Sequence, residues 1–467
     1  MKLTGFLFAA ALLGACTQPA AEENYTRHVD PKIGTGGHGH VFVGANVPFG
    51  LVQVGPTSIP QTWDWCSGYH ASDSTVIGFS HTHLSGTGIG DLFDVTVMPV
   101  TGDVTYARGE EADPASGLWS YADRTQEIAR PGYYSVPLTR YGIRAELTAT
   151  ARVGLHRYTF PASEKAAVVF DLENGGCWDK ATETHLAKEG DRTVTGWRHS
   201  TGWAKDQRVY FAAEFSKPFE KFETIGDNYA RASFRTTDGE QVSLKVALSP
   251  VSIEGAKANL AAELPGWDFD ATAAAADKAW NDELSKVKIE TEDETSKRIF
   301  YTALYHTMVA PSLFCDVNGD YRGADGKVHE NPGRDTYTTF SLWDTYRAAM
   351  PLMTVLHPER MPDIIQTMLH ISDEQGRLPV WHLWGNETDC MVGNPGIVAV
   401  ADAIVKGIGG FDREKAFEAI RKTAMNPDRG NGLRMEYGYI PCEMFNEAVA
   451  YDMEYALADG AAARAAE

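Results

Sequence analysis

Hydrophobic and polar residues alternate along the first part of the chain and take a helical spacing in the second. Between about residues 25 and 255, short runs such as 95–100, 143–150, 156–160 and 242–248 mix apolar and polar positions and are rich in β-branched and aromatic side chains. A period of two residues, interrupted by frequent turns, is typical of strands with one buried face. The pattern therefore predicts an all-β sandwich for this region.

The spacing becomes helical near Pro265. Residues 271–287 are rich in alanine and charged side chains, and residues 293–310 place apolar side chains on one stripe. Apolar residues at i, i+3 and i+4 lie on one face of a helix. Further helices are predicted over residues 344–350, 361–372, 398–407 and 413–425. Helices that alternate with polar or Gly/Pro-rich loops are consistent with an α/α toroid.

Candidate chemistry is clearest at residues 343–347, WDTYR. If this segment is helical, Arg347 lies beside Trp343 at i,i+4 and beside Asp344 at i,i+3. Together they suit a sugar, because an indole stacks on its C–H face while a carboxylate and a guanidinium bind its hydroxyls. The same residues also fit a helix salt bridge beside a core tryptophan, and the pattern alone leaves both interpretations open.

Three further motifs favour structure over cofactor chemistry. Residues 34–39, GTGGHG, match a dinucleotide-binding pattern, but no apolar strand precedes them and no helix start follows. His81 and His83 would face one way on an extended segment, yet no third metal ligand is evident nearby, so packed histidines are preferred over a metal site. Residues 316–321 begin like an EF-hand loop but place Tyr321 where glycine is needed, which predicts an Asx-rich turn.

The N-terminus is predicted to be a targeting segment. Lys2 supplies a positive charge, residues 6–13 form a short apolar run, and Cys16 ends the sequence LGAC. The run is too short to span a bilayer. LGAC resembles a bacterial lipoprotein cleavage box, which implies lipidation of Cys16, a membrane anchor and a location in the outer membrane or periplasm. The alternative is an ordinary signal peptide with an incidental cysteine.

The overall charge argues against nucleic acid as a partner. The 63 acidic and 42 basic residues give a net charge of −21. Such a surface repels phosphate backbones and anionic membrane surfaces. Eleven Trp and nineteen Tyr suit a carbohydrate binder without proving one.

Five cysteines remain besides Cys16, and none of them lies in a Cys-x-x-Cys pair. They are Cys66, Cys177, Cys315, Cys390 and Cys442. Neither a zinc site nor a disulfide scaffold is predicted from this spacing. One isolated disulfide stays open for an oxidising compartment, but the sequence does not identify the pair.

Several segments together resemble glycoside hydrolase family 92. They are residues 340–349 (FSLWDTYRAA), 376–381, 385–388, 31–56 and 66–91. The resemblance implies a calcium-dependent, inverting exo-α-mannosidase that removes terminal mannose, most often α-1,2-linked, from glycans. After the leader and tether (1–24), it also implies a β-sandwich (25–262), a linker helix (263–292) and an (α/α)6 toroid (293–467).

The same resemblance assigns roles to individual residues. Glu447, in the segment GYIPCEMFNEA, corresponds to the general acid, although without the resemblance Asn446-Glu447 is better explained as an N-cap followed by a first-turn glutamate. Substrate-binding roles fall on Phe49, Gly50, Trp343, Asp344, Arg347, Asn386 and Glu387. Departures from the family pattern at His382, Trp384 and Asn394-Pro395 leave the linkage preference open.

The length of the helical region predicts an incomplete toroid. Six helix pairs need well over ~300 residues at typical helix and loop lengths, whereas about 200 residues follow Pro265. The resemblance places the general-base aspartates and most calcium ligands beyond Glu467. The expectation is therefore a truncated, inactive form of a mannosidase. A rival from another class is a sugar-binding surface lipoprotein that has lost catalysis.

Overall fold

The computed structural model of the protein describes residues 23–467. Strands dominate up to Ser249, and helices dominate from Ile253 onward. No helix within residues 23–467 is both long and apolar enough to cross a lipid bilayer. The predicted leader with Cys16 lies outside the described residues.

Antiparallel strands build the first region. In chain order they are β1 (Gly55–Thr57), β2 (Thr75–Val76), β3 (Gly78–Ser80), β4 (Thr96–Thr101), β5 (Ser120–Tyr121), β6 (Ile128–Arg130), β7 (Tyr133–Leu138), β8 (Ile143–Ala149), β9 (Val153–Phe160), β10 (Ser163–Asp171), β11 (Lys180–Glu189), β12 (Thr193–Thr201), β13 (Gln207–Phe215), β14 (Lys221–Ile225), β15 (Tyr229–Thr236) and β16 (Glu240–Ser249). The two large sheets have the orders β1-β3-β4-β10-β15-β14 and β11-β12-β13-β16-β9-β8-β7-β6, and β2 pairs with β5.

The two large sheets pack face to face around a shared core. Phe170 of β10 stacks on Phe211 of β13 with ring centroids 6.0 Å apart, and Phe234 of β15 lies 5.4 Å from Phe215 of β13. Because successive side chains of a strand point to opposite faces, alternation along the sequence places these rings inside. The predicted β-sandwich is confirmed.

A buried ion network connects the loops at one end of the sandwich. The Arg198 side chain is fully buried, and its guanidinium donates to Asp94, at 2.7 Å, and to Asp179. Asp94 also accepts hydrogen bonds from Thr82 and Gln207, each at 2.7 Å. A buried charge is stable only when it is paired and fully hydrogen-bonded, as each of these groups is.

His81 and His83 belong to the same core. His81 Nε2 lies 2.9 Å from His156 Nε2, and His83 Nδ1 donates to the Gln53 carbonyl at 2.7 Å. Burial lowers the pKa of His81 to about 3 and that of His83 to about 4, so both rings are neutral near pH 7. The preferred interpretation of these residues as packed histidines is confirmed.

Helices build the second region. They are α1 (Ile253–Glu263), α2 (Phe269–Leu284), α3 (Glu294–His306), α4 (Leu342–Thr345), α5 (Ala349–Leu356), α6 (Met361–Gln375), α7 (Pro395–Val405), α8 (Arg413–Ala424), α9 (Asn431–Tyr437) and α10 (Ala448–Ala466). Three of them begin at aspartate N-caps, because Asp268, Asp293 and Asp412 each accept a backbone N–H of the first turn at 2.9–3.1 Å. The helices predicted near residues 271, 293, 361, 398 and 413 are confirmed.

Two expectations about helix boundaries are wrong. The change to helix comes at Ile253, because α1 occupies a segment expected to belong to the sandwich. The single helix expected over residues 344–350 is instead the end of α4 and the start of α5. The backbone leaves helical geometry at Ala348, the N-cap of α5, and Pro351 fits the first turn of the new helix because an N–H there would have no intrahelical partner.

Short strands also occur after residue 300, which the pattern of helices and loops does not predict. They are β17 (Ser312–Leu313), β18 (Tyr321–Arg322), β19 (Val328–His329), β20 (Tyr337–Thr338), β21 (Phe340–Ser341), β22 (Trp381–Leu383) and β23 (Asn386–Glu387). The last three form a small sheet in the order β21-β22-β23. Each has two or three residues, so the region remains mainly helical.

A loop of the sandwich region inserts between the helices. Trp280 of α2 donates its indole N–H to the Asn46 carbonyl at 2.7 Å. The Phe49 N–H donates to the Met308 carbonyl at 2.8 Å, and the Phe49 carbonyl accepts from the Leu313 N–H at 2.9 Å. These hydrogen bonds fix the sandwich against the start of the helical region.

Candidate functional site

A cavity of about 140 Å³ opens where the two regions meet. The sandwich region contributes the loop 85–87, and the helical region contributes His306 at the end of α3, Ser341 and Asp344 at the start of α4, and Trp381 of β22. Apolar walls with a few convergent polar groups are typical of small-molecule sites. We refer to this cavity as the cleft.

Asp344 is the carboxylate of the cleft. Its side chain is exposed, and its Oδ2 accepts a hydrogen bond from the Ser341 hydroxyl. The β21-β22 pairing places Ser341 beside Trp381, so the small sheet fixes the position of the hydroxyl that orients Asp344. Oδ1 has no hydrogen-bond donor among the described residues, which leaves it available to a ligand hydroxyl.

Arg347 lies over Trp343, as the i,i+4 spacing predicts. The guanidinium carbon is 5.1 Å from the Trp343 ring centroid and 4.6 Å from that of Tyr346. The ion-pair partner of Arg347 is Glu454 of α10, at 2.6 Å, and Asp344 makes no ion pair with it in residues 23–467. Glu454 also accepts from the Tyr346 hydroxyl at 2.8 Å. The pair therefore connects the segment that follows α4 to α10.

Glu447 stands immediately before α10. It is exposed, takes a left-handed backbone conformation with φ 55°, and caps the helix without a side-chain hydrogen bond. Non-glycine residues in this conformation cost roughly 1–3 kcal/mol and concentrate at functional sites. Glu454, the ion-pair partner of Arg347, lies seven residues further on, inside α10.

Asn386 and Glu387 have structural partners in this conformation. Asn386 and Asp206 exchange two hydrogen bonds of 3.0 Å, which tie the helical region to a sandwich loop. Glu387 accepts the backbone N–H groups of Val380 and Trp381 at 2.8 Å. These bonds hold β22 and β23 in place beside the cleft.

Phe49 and Gly50 are buried between the two regions. The Phe49 side chain is 0% exposed, contacts the His357 ring edge-to-face at 5.1 Å, and lies 4.8 Å below the Arg360 guanidinium. A side chain at Gly50 would come within 3.1 Å of Val47. Neither residue lines the cleft, so the structure gives both a packing role.

Sequence reasoning missed four groups of this site: Ser341, Trp381, Glu454 and His306. His306 lines the cleft, and burial lowers its pKa to about 4. Its Nε2 has no hydrogen-bond partner among the described residues. Ser341 and Trp381 lie inside the family-like motifs, whereas no local spacing points to His306 or Glu454.

The cluster of metal-type side chains found among residues 23–467 does not fit calcium. Within residues 23–467, Glu283, His357 and Glu359 form the one group of three close metal-type ligands. The Lys286 ammonium lies 2.8 Å from both carboxylates and 3.2 Å from His357, so a cation of the chain already fills the space. Calcium also requires six to eight oxygen ligands. Asp316 of the EF-hand-like turn instead accepts from side chains of the protein, which agrees with a structural turn.

Comparisons with known proteins agree with this architecture. The model of the glycosyl hydrolase family 92 N-terminal domain matches residues 28–249, and that of the family 92 catalytic domain matches residues 255–467. A protein of Arthroderma benhamiae described as an uncharacterized secreted glycosidase is 27% identical over 91% of this chain.

Two solved structures from Bacteroides thetaiotaomicron are similar over 95% of the chain. One is a family GH92 α-mannosidase in complex with mannoimidazole, with 37% identity and a TM-score of 0.91. The other is a family GH92 inverting mannosidase, with 29% identity and a TM-score of 0.85. The chain spans 61% and 62% of these two proteins and 56% of the curated relative.

The expectation of a truncated, inactive catalytic domain is not supported. The match to the catalytic-domain model extends over residues 255–467, and the match to the N-terminal model ends at residue 249. With both domain models matched in order, the chain belongs to glycosyl hydrolase family 92.

Proposed function

We propose that the protein is an inverting, calcium-dependent exo-α-mannosidase that removes terminal α-1,2-linked mannose from glycans. The observation that carries the proposal is the cleft, in which Asp344 and Trp381 converge between the sandwich and the helices of a family 92 chain. Both solved relatives are named as mannosidases, and one of them as inverting.

In this proposal the terminal mannose is bound mainly from α4. The Ser341 hydroxyl holds Asp344 so that its second oxygen accepts a sugar hydroxyl. Trp343 offers an indole face, and Arg347 remains 45% exposed after pairing with Glu454, which leaves N–H groups to donate. Phe49, Gly50, Asn386 and Glu387 would then support the sugar indirectly, through the loops that they hold.

Glu447 is the proposed general acid. An inverting glycosidase protonates the leaving oxygen with one carboxylic acid while a second carboxylate activates water on the opposite face of the sugar. Glu447 has no side-chain hydrogen bond in the described chain, so its carboxyl group is available to approach a glycosidic oxygen. Calcium dependence is part of the proposal by family membership, and no step is derived from the ion because no described cluster fits it.

Linkage and location are the finer parts of the proposal. His382 and Trp384, which depart from the family pattern, are each 2% exposed and reach solvent little. The secreted description of the fungal relative supports export of this chain. Lipidation of Cys16 and anchoring at the outer membrane follow from the LGAC motif alone.

The test is mannose release from α-1,2-, α-1,3- and α-1,6-linked mannobioses, with and without a calcium chelator. We expect release from the α-1,2 substrate, loss of release with the chelator, and a decrease in kcat/KM of about 10- to 100-fold for Asp344→Asn, because a charged hydrogen bond to the sugar is lost. Asp373→Asn is the control, since Asp373 is exposed and does not line the cleft.

The outcomes separate the proposal from its rival. Binding of mannobiose by calorimetry without any release would favour the sugar-binding lipoprotein. Release that is insensitive to the chelator would overturn calcium dependence alone. Equal kcat/KM for Asp344→Asn and Asp373→Asn would show that the cleft is not the sugar site.

A further inference from the structure

Two cysteines that are distant in sequence meet on the sandwich. Cys66 follows the 3-10 turn Trp63–Trp65 and is 0% exposed, whereas Cys177 lies in the loop after β10 and is half-buried. The Cys177 thiol donates to the carbonyl of Thr62, the N-cap of that turn, at 3.1 Å. Interaction with Cys66 lowers the pKa of Cys177, and interaction with Cys177 raises the pKa of Cys66. Cys177 therefore lies against the turn that ends at Cys66.

Hydrogen bonds to backbone carbonyls hold the two loops against a third loop, residues 88–92. The Trp178 N–H donates to the Gly90 carbonyl at 2.9 Å, and the Trp63 indole N–H donates to the Gly88 carbonyl at 3.1 Å. A Cβ atom at Gly90 would lie 2.5 Å from the Cβ of Cys177, so only glycine permits this approach. The approach of Cys177 to the turn that ends at Cys66 thus belongs to a fixed arrangement of three loops.

We propose that Cys66 and Cys177 are a disulfide-forming pair that locks these loops when the protein meets a disulfide oxidant such as oxidised glutathione or a disulfide-exchange protein. In the described chain the other three cysteines make no hydrogen bond with one another. The pair therefore identifies which cysteines form the single disulfide that the sequence leaves open.

The exchange proceeds in two steps, in which the oxidant disulfide is reduced to two thiols. Cys177, the more accessible sulfur, attacks the oxidant as a thiolate, forms a mixed disulfide and releases the first thiolate. Cys66 then gives up its proton to the solvent and attacks the Cys177 sulfur, which forms the Cys66–Cys177 bond and releases the second thiolate. Interaction with Cys66 lowers the pKa of Cys177, which favours Cys177 as the first nucleophile.

The bond would stabilise a surface that carries two indoles. Trp63 and Trp178 flank the pair and are 47% and 39% exposed. A disulfide that closes a long loop limits the freedom of the unfolded chain, so the oxidised protein should melt at a higher temperature than the reduced one. The same bond would keep both tryptophans at a fixed spacing.

The experiment is peptide mapping by mass spectrometry under non-reducing conditions after incubation of the full chain with oxidised glutathione and alkylation of the remaining thiols. We expect a linked peptide pair containing Cys66 and Cys177, and a rise of several degrees in Tm that reduction reverses. Cys66→Ala should stop at a stable glutathione adduct on Cys177, because the resolving thiol is absent.

Cys442→Ala is the matched control, since Cys442 is an exposed thiol of the helical region. It should give the same linked peptide pair as the unchanged chain. The proposal is wrong if the unchanged chain keeps Cys66 and Cys177 alkylated after oxidation, or retains glutathione on Cys177 beside a free Cys66. Because these readouts use the unchanged chain, poor folding of a variant does not affect the conclusion.

Discussion

In the sandwich, Arg198 lies fully buried between Asp94 and Asp179. In contrast, Asp344 at the cleft and Arg347, three residues further along the chain, are exposed and only partly hydrogen-bonded. Both sets combine carboxylates with a guanidinium, and in the sequence they look alike. Every polar atom of a buried charge needs a partner inside the protein, while an exposed charge can keep donors and acceptors for a ligand. Exposure and remaining hydrogen-bond capacity therefore separate structural charges from the candidate sugar-binding ones.

Removal of the buried guanidinium should have the largest effect on stability. Arg198→Ala leaves Asp94 and Asp179 buried without their cation, which should lower the free energy of unfolding by about 3–5 kcal/mol. Denaturant unfolding measures this loss. Arg208→Ala is the control, because Arg208 and Asp206 form an exposed pair, 37% and 53% accessible, whose loss should cost at most about 1 kcal/mol. Equal losses in the two variants would contradict the distinction between the regions.

Glu447→Gln should show the opposite pattern to Arg198→Ala, with a loss of activity and little change in stability. Removing one general acid should lower kcat/KM on mannobiose by about 100-fold or more. Because the side chain is exposed and unbonded, the free energy of unfolding should stay within about 0.5 kcal/mol. The measurements are mannose release and denaturant unfolding, and Glu443→Gln, also exposed in the same segment, is the control.

A second substrate sharpens the assignment of Glu447. In an aryl mannoside whose leaving group is an acidic phenol, the phenolate departs without being protonated. Glu447→Gln should therefore retain much more of its activity on that substrate than on mannobiose. Equal losses on both substrates would mean that Glu447 positions the sugar or the helix rather than supplying the proton.

Acid should weaken the sandwich through its buried histidines. Burial lowers the pKa of His83 from 6.5 to about 4, so the folded state favours the neutral ring. The resulting stability is present above pH 6.5 and is lost as the pH falls toward 4, by up to ~2 kcal/mol at pH 5. Unfolding of His83→Gln at pH 7 and pH 5 should therefore show a smaller acid-induced loss than the unchanged protein.

Asp91→Asn is the matched variant, and its effect on the acid-induced loss of stability should have the opposite sign. Burial raises the pKa of Asp91 to about 6, so the folded state binds a proton more readily than the unfolded state. The stability from this group is present below its ordinary pKa of 3.8 and is lost as the pH rises through 6. Without the Asp91 carboxyl group, the decrease in the free energy of unfolding from pH 7 to pH 5 should be larger. Parallel pH profiles for both variants would refute these assignments.

The sequence predicts the division of the fold well and its exceptions poorly. Period-two strands and capped helices appear where the spacing indicates them, because local sterics and one buried face determine both. Helix α1 was not predicted, because its buried face carries Ala256 and Asn259 rather than a stripe of large apolar residues. Asn259 is fully buried and donates to Leu248 and Asp316. Such a polar contact can be recognised only when the position of the sheet relative to the helix is known.

The candidate site likewise contains contacts that the sequence predicts and contacts that it does not. The contact of Arg347 with Trp343 follows from i,i+4 geometry within one short segment. Its ion pair with Glu454 joins residues 107 positions apart, and no spacing rule reaches that distance. For Phe49 the resemblance suggests a sugar contact, and the ring lies buried against His357 and Arg360, a position that no local spacing indicates.

The smallest expected effect concerns an apolar stripe on α10. Val449, Met453 and Leu457 follow one another at four-residue spacing and are 70%, 70% and 43% exposed. Because Val449 has little packing to lose, Val449→Lys should change the free energy of unfolding by at most about 0.5 kcal/mol. An exposed apolar stripe promotes association, so light scattering of the concentrated protein should fall.

Ala450→Lys adds the same charge beside the stripe and is the control. A loss above about 1 kcal/mol for Val449→Lys alone would show that the stripe is covered in solution. The contrast between a closed sandwich and an open helical face would then have to be abandoned.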